Sequence, residues 1–129
     1  MSKLWFVLKI IVALFMVYAG VQHLLKPEFY LPFVPTFLPF KTVLVYLSGV
    51  VEIIVGLLLL TKKYQGIGSY ALLVLMIIFL PIHINDVISD TPAIGSQKAA
   101  MIRLGIQFLA ITLCWKFKNL YYSKSTESK

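Results

Sequence analysis

Four apolar stretches, each about as long as a bilayer's hydrocarbon core is thick, take up most of the chain. A core about 30 Å thick needs roughly 20 apolar residues per helical crossing. The stretches run from Leu4 to Leu25, Thr42 to Leu60, Gly66 to Ile84 and Lys98 to Phe117, and a polar tail covers 118–129. They predict an all-α fold with a single domain over 1–129. That domain is an integral membrane four-helix bundle, antiparallel, with a proline- and aromatic-rich interfacial segment between its first two helices. With 13% charged and 60% hydrophobic residues, the sequence lacks the polar surface of a soluble domain. The fourth stretch is the least apolar because it carries Arg103 and Gln107. Lys3 ahead of a long apolar run resembles a secretory signal, but the run exceeds the usual apolar region and no A-x-A-like cleavage site follows Gly20.

Four crossings place the N-terminus, the Lys62–Lys63 turn and the tail on one side. That side holds Lys3, Lys9, Lys62, Lys63, Lys116, Lys118, Lys124 and Lys129, against Lys26, Lys41, Lys98 and Arg103 on the other. Eight against four makes the first side cytoplasmic and suggests a multi-pass protein of the cell's inner membrane with both termini inside. Lys9 is expected to snorkel toward the nearer interface. The net charge of +7 comes from lysines flanking apolar segments, not from a basic patch interleaved with exposed aromatics, so no nucleic-acid partner is expected. Cys114 is the only cysteine, which excludes an intramolecular disulfide, a CxxC pair and a zinc-type cysteine cluster.

The Lys26–Lys41 connection contains Pro27, Pro32, Pro35 and Pro39 among Phe29, Tyr30, Phe33, Phe37 and Phe40. Prolines at this spacing break a helix and aromatics suit the headgroup layer, so the segment should fold over the outer mouth, with Pro27 starting a short helical turn. The Asn85–Gln97 connection has Asp86, Asp90, Pro92 and Gly95 as turn signals. The short Lys62–Lys63 turn makes the second and third helices neighbours.

Helical rise places Glu52 about 15 Å below the outer edge, Gln107 roughly 13 Å and Arg103 roughly 8 Å, with His23, His83, Asn85 and Asp86 near that edge. Ser48, Glu52 and Gly56 share one face, and Ala99, Arg103, Gln107, Ala110 and Cys114 form a polar-and-small stripe. A lipid-facing carboxyl is costly and small residues favour close packing, so both faces should turn inward and oppose each other. Arg103 or a histidine is the expected partner of Glu52. The bland alternatives are a structural clamp for Glu52, loop-capping histidines, a turn role for Asp86 and an aromatic interface belt.

Tyr18-Ala19-Gly20-Val21-Gln22-His23, Lys26-Pro27-Glu28-Phe29-Tyr30, the stretch from Tyr46 through Ser48-Gly49, Glu52 and Gly56 to Leu57, and Pro81-Ile82-His83-Ile84-Asn85-Asp86 resemble the DoxX-like family of small four-helix membrane proteins. Its wider relatives include MauE and the nicotinic-receptor chaperone NACHO. The resemblance implies a membrane fold. For function it implies either quinone-linked redox complexes or assembly of partner membrane proteins. The missing cysteine pairs argue against dithiol chemistry.

The leading expectation is an accessory or partner-binding subunit, surrounded by lipid and open to homo-oligomerisation. A lipid or quinone would occupy its outer cleft, with Gln22, His23, Tyr46, Ser48, Glu52, His83, Asn85, Asp86, Arg103 and Gln107 as candidate ligand-binding residues. The alternative is a quinone-linked redox subunit in which Glu52 relays protons while His23 and His83 hold the headgroup. An oligomeric transporter is the third class. Haem on His23 and His83, or a metal on His23, His83, Asp86 and Glu52, has no supporting motif.

Overall fold

A computed structural model of the chain describes residues 3–90, 92–93 and 96–122. The turn signal at Gly95 and the tail lysines Lys124 and Lys129 lie outside the described residues. Helix α1 covers Lys3–Leu25, a short α2 covers Pro27–Tyr30 and runs into a 3₁₀ turn at Leu31–Phe33, and α3 covers Lys41–Leu60. Helix α4 covers Gln65–Ile88, and α5 covers Gln97–Phe117 and continues as a π-helical turn over Lys118–Tyr122. The four long helices are each long and apolar enough to cross a membrane.

The surface is inverted relative to a soluble protein. Leu14, Phe15, Ile54, Ile78, Ile106 and Leu109 are each more than half exposed, while Lys9, Glu52, Ser69, Asp86 and Gln107 are all buried. Large exposed apolar surface, with charged and polar side chains buried among apolar ones, suits a hydrocarbon solvent.

Helix α3 packs chiefly on α1 and less extensively on α4, and α4 packs on α5. The α1–α3 contact is close because it is made across glycines. A Cβ on Gly49 would sit 2.6 Å from His23 Cβ and 2.8 Å from the Gly20 carbonyl oxygen, and one on Gly56 would sit 2.8 Å from the Ala13 carbonyl oxygen. The expected opposition of the second and fourth spans is therefore corrected. The small face of α3 is filled by α1, and α3 and α5 share no extended interface.

Three further expectations change. The third span continues past Ile84 to Ile88, which places Asn85 and Asp86 inside α4 instead of in the connection. Pro81 removes only the N–H that would bond the Ile77 carbonyl, and the helix passes through it. One residue away, the Met76 carbonyl accepts from Gln107 Nε2 at 2.7 Å, tying α4 to α5 at this level. The helical path also extends beyond Phe117, because Phe117 and Tyr121 are buried in the core with Leu59 and Leu72.

Lys9 is enclosed instead of open to solvent, with its ammonium directed to the start of α4. It is 2% exposed, its Nζ donates to Gln65 Oε1 at 2.8 Å, and it lies 5.1 Å from the ring centroids of Phe6 and Tyr121. An amide oxygen and two ring faces compensate an ammonium less well than a carboxylate does. Lys9→Met should therefore change stability by no more than about 1 kcal/mol, and in the favourable direction. Thermal unfolding in detergent checks this, and a large loss would mean that the ammonium has a stronger partner.

Candidate functional site

His23 sits in the last turn of α1, one turn beyond the Gly20 contact that brings α1 against α3. That approach places its ring against the first half of α3. Nδ1 lies 2.9 Å from Ser48 Oγ and 3.2 Å from the Val45 carbonyl oxygen. Ser48 Oγ–H itself donates back to the same Val45 carbonyl at 2.9 Å, so its proton is committed and its oxygen can only accept from the imidazole. The network thus assigns a proton to Nδ1.

On the other side of the ring, Nε2 lies 3.2 Å from Glu52 Oε2, an ion-pair distance without hydrogen-bond alignment. Glu52 is 6% exposed. With no proton between them, two lone pairs would face each other around a buried anion. With two protons, a buried cation would result. Both are costly in a low-dielectric interior, so the pair holds one proton and is neutral overall. Oε2 is enclosed and turned to His23, and Oε1 accepts no hydrogen bond from a described residue.

The second polar group joins α4 to α5. Asp86 Oδ2 accepts from Arg103 Nη2 at 2.7 Å, and Oδ1 accepts from the Ala93 backbone N–H at 2.7 Å, holding the connection that follows α4. Arg103 also lies over the Phe33 ring, 5.4 Å from its centroid. Of the two partners expected for Glu52, Arg103 or a histidine, the structure has the histidine. Glu52 takes the histidine, and Arg103 takes the carboxylate three residues beyond His83 on the helix beside it. Because Asp86 is 5% exposed, Arg103→Ala should strand its charge and lower stability by about 3 kcal/mol or more, a loss readable by denaturant titration in detergent micelles.

Between α3, α4 and the proline-rich connection lies a cavity of about 590 Å³. Twelve of its eighteen lining residues are apolar, among them Leu44, Val51, Leu75, Ile78, Phe79 and Ile82. The other six are His23, Tyr30, Ser48, Glu52, His83 and Arg103. Five of the expected site residues therefore share one cavity wall, and Asp86 joins them through Arg103. Gln22, Tyr46, Asn85 and Gln107 do not line it. Gln22 contributes its carbonyl to the end of α1, Tyr46 is exposed, and Gln107 serves the α4–α5 contact. Neither ring nitrogen of His83 has a hydrogen-bond partner among the described residues, and Nδ1 is fully enclosed.

Residue-by-residue reading of the helices missed Tyr30 and Phe33. Tyr30 packs on His23 with ring centroids 4.0 Å apart, and burial pushes its phenol above its ordinary pKa. Their signal was the aromatic run between prolines, which folds back over the cavity with Val34, Pro35 and Leu38.

Residues 12–118 match a family model described as a domain of unknown function, DUF8561. The chain belongs to this family. The match spans the cavity-lining residues and stops short of Lys9. No curated protein and no solved structure matches the chain.

The size and lining of this cavity suit a small amphiphile, since ligand pockets usually fall between about 300 and 1,000 Å³ and carry a few convergent polar groups in apolar walls. Among the described residues, no three His, Cys, Asp or Glu side chains gather to hold a metal ion.

Proposed function

We propose that this protein is a multi-pass membrane protein that holds an amphiphilic, lipid-class molecule in the cleft beneath its proline-rich connection. In this reading it serves as an accessory or assembly subunit for other membrane proteins or for copies of itself. The observation that carries the reading is the apolar cavity with the buried His23–Glu52 pair, 3.2 Å apart, in its wall. A structural clamp alone gains nothing from facing an open cavity, whereas a headgroup site needs polar groups there and apolar walls for the chain. The four helices cross the bilayer antiparallel, with both termini in the cytoplasm of a cell with an inner membrane and the cleft open to the other side. The lysine asymmetry supports this orientation. Kinship with the DoxX-like proteins belongs to the same reading, supported by the residues quoted above.

Native mass spectrometry of protein purified in mild detergent tests the binding. The wild type should retain an amphiphile, and Ile82→Trp, which fills the cavity, should release it. Wild-type protein that carries no adduct after reconstitution with a total lipid extract would contradict the reading. The His23–Glu52 pair also favours a second reading, in which the bound molecule exchanges protons with it as part of a redox complex.

A further inference from the structure

We infer that the molecule in the cleft has an uncharged head bearing a hydroxyl group, and that Glu52 Oε1 receives its hydrogen bond. This rests on the cleft being a binding site and goes further, to the chemistry of the head.

The first argument is charge balance. Every charged group around the cavity is already matched. Arg103 is closed by Asp86, and Glu52 shares one proton with His23. His83 is neutral, because an imidazolium there would leave a charged N–H enclosed without an acceptor. The wall therefore sums to zero. A phosphate on Arg103 would have to share its single positive charge with the buried Asp86 and leave the wall net negative, and an ammonium would find no free carboxylate.

The second argument is the sense of the hydrogen bond. Because the Ser48 network keeps one His23 proton on Nδ1, the remaining proton of the pair is drawn toward the side where Nε2 and Oε2 lie 3.2 Å apart. The carboxyl then meets the cavity through Oε1, which is an acceptor whether Glu52 is ionised or protonated. A head with acceptors alone, such as an oxidised quinone, meets Oε1 acceptor to acceptor. A hydroxyl donates to Oε1 and can also accept from a His83 N–H.

Two sources share this chemistry, an acylglycerol alcohol and a long-chain hydroquinone. Four probes separate them and their controls. Diacylglycerol is set against phosphatidic acid with the same chains, and a long-chain benzohydroquinone against its quinone. Each is titrated into wild-type protein in nanodiscs and read by native mass spectrometry. At least one hydroxyl head should bind about tenfold or more tighter than its control, the scale of one buried hydrogen bond to a charged or proton-sharing group. Whichever binds names the source. Glu52→Gln should keep the preference, since its amide oxygen replaces Oε1, and Glu52→Leu should lose it. The wild-type comparison decides by itself if Glu52→Leu does not fold.

Equal binding of phosphatidic acid or of the quinone would overturn this inference while leaving the cleft as a binding site. Binding of none of the four would overturn both.

Discussion

Gly49→Leu is expected to abolish the packed fold, with no monodisperse protein recovered from detergent. In lipid no water is released when helices meet, so association depends on close van der Waals approach and small residues decide where it is possible. At Gly49 even a methyl group would lie 2.6 Å from His23 Cβ and 2.8 Å from the Gly20 carbonyl oxygen. Backbone cannot yield as a flexible side chain can. At Gly20 an added Cβ would collide with the Gly49 carbonyl oxygen and lie 2.6 Å from Ile53 Cγ1, so Gly20→Leu should behave alike. Gly105 is the control, because an added Cβ there has nothing within 4 Å. Gly105→Ala should be neutral or stabilise by about 0.5–1 kcal/mol through helix propensity alone. Size-exclusion profiles and thermal unfolding of the three variants compare the two effects. A folded, wild-type-like Gly49→Leu would mean that α1 and α3 are not in contact through these glycines.

The second large effect concerns the His23–Glu52 pair. His23→Leu removes the partner of Glu52 among the described residues and leaves a protonated, buried carboxyl unpaired, which should cost about 1–3 kcal/mol. Glu52→Gln should cost less than about 1 kcal/mol. Its amide can donate to Nε2, which is free to accept because the imidazole proton sits on Nδ1. The double variant His23→Leu with Glu52→Leu should recover much of the loss, since replacing both polar partners by apolar groups leaves neither stranded. A cycle built from unfolding free energies in micelles reads the coupling. Additive single effects would mean that the two residues act independently.

The four long apolar helices could be read directly from the chain, because length and apolarity are local properties and a bilayer sets a threshold for both. The inward turn of Glu52 was legible for a similar reason: a carboxyl flanked at helical spacing by Ser48 and Gly56 has one inexpensive direction. Partner choice was less legible. Glu52, His23, Asp86 and Arg103 lie at compatible depths, and depth alone allows several pairings. What separates them is which helix touches which. That was decided by Gly20 meeting Gly49, a contact between glycines on different helices that no single-helix pattern reveals. The end of α4 was missed because Asp86 and Asp90 signal a turn locally, while Asp86 is held within the helix by Arg103 and the Ala93 N–H. The burial of Lys9 was not legible because its bond to Gln65 joins two segments far apart in sequence.

The central claim is that a neutral His23, protonated on Nδ1, shares a single proton with an inward-facing Glu52. ¹⁵N spectra of histidine-labelled protein in lipid bilayers, with His23 assigned by comparison with His83→Gln, test it most directly. The account predicts a protonated Nδ1 and an Nε2 resonance that moves strongly in Glu52→Leu but little in Arg103→Ala. A His23 ring protonated on Nε2 alone, or one whose resonances ignore Glu52, would contradict it.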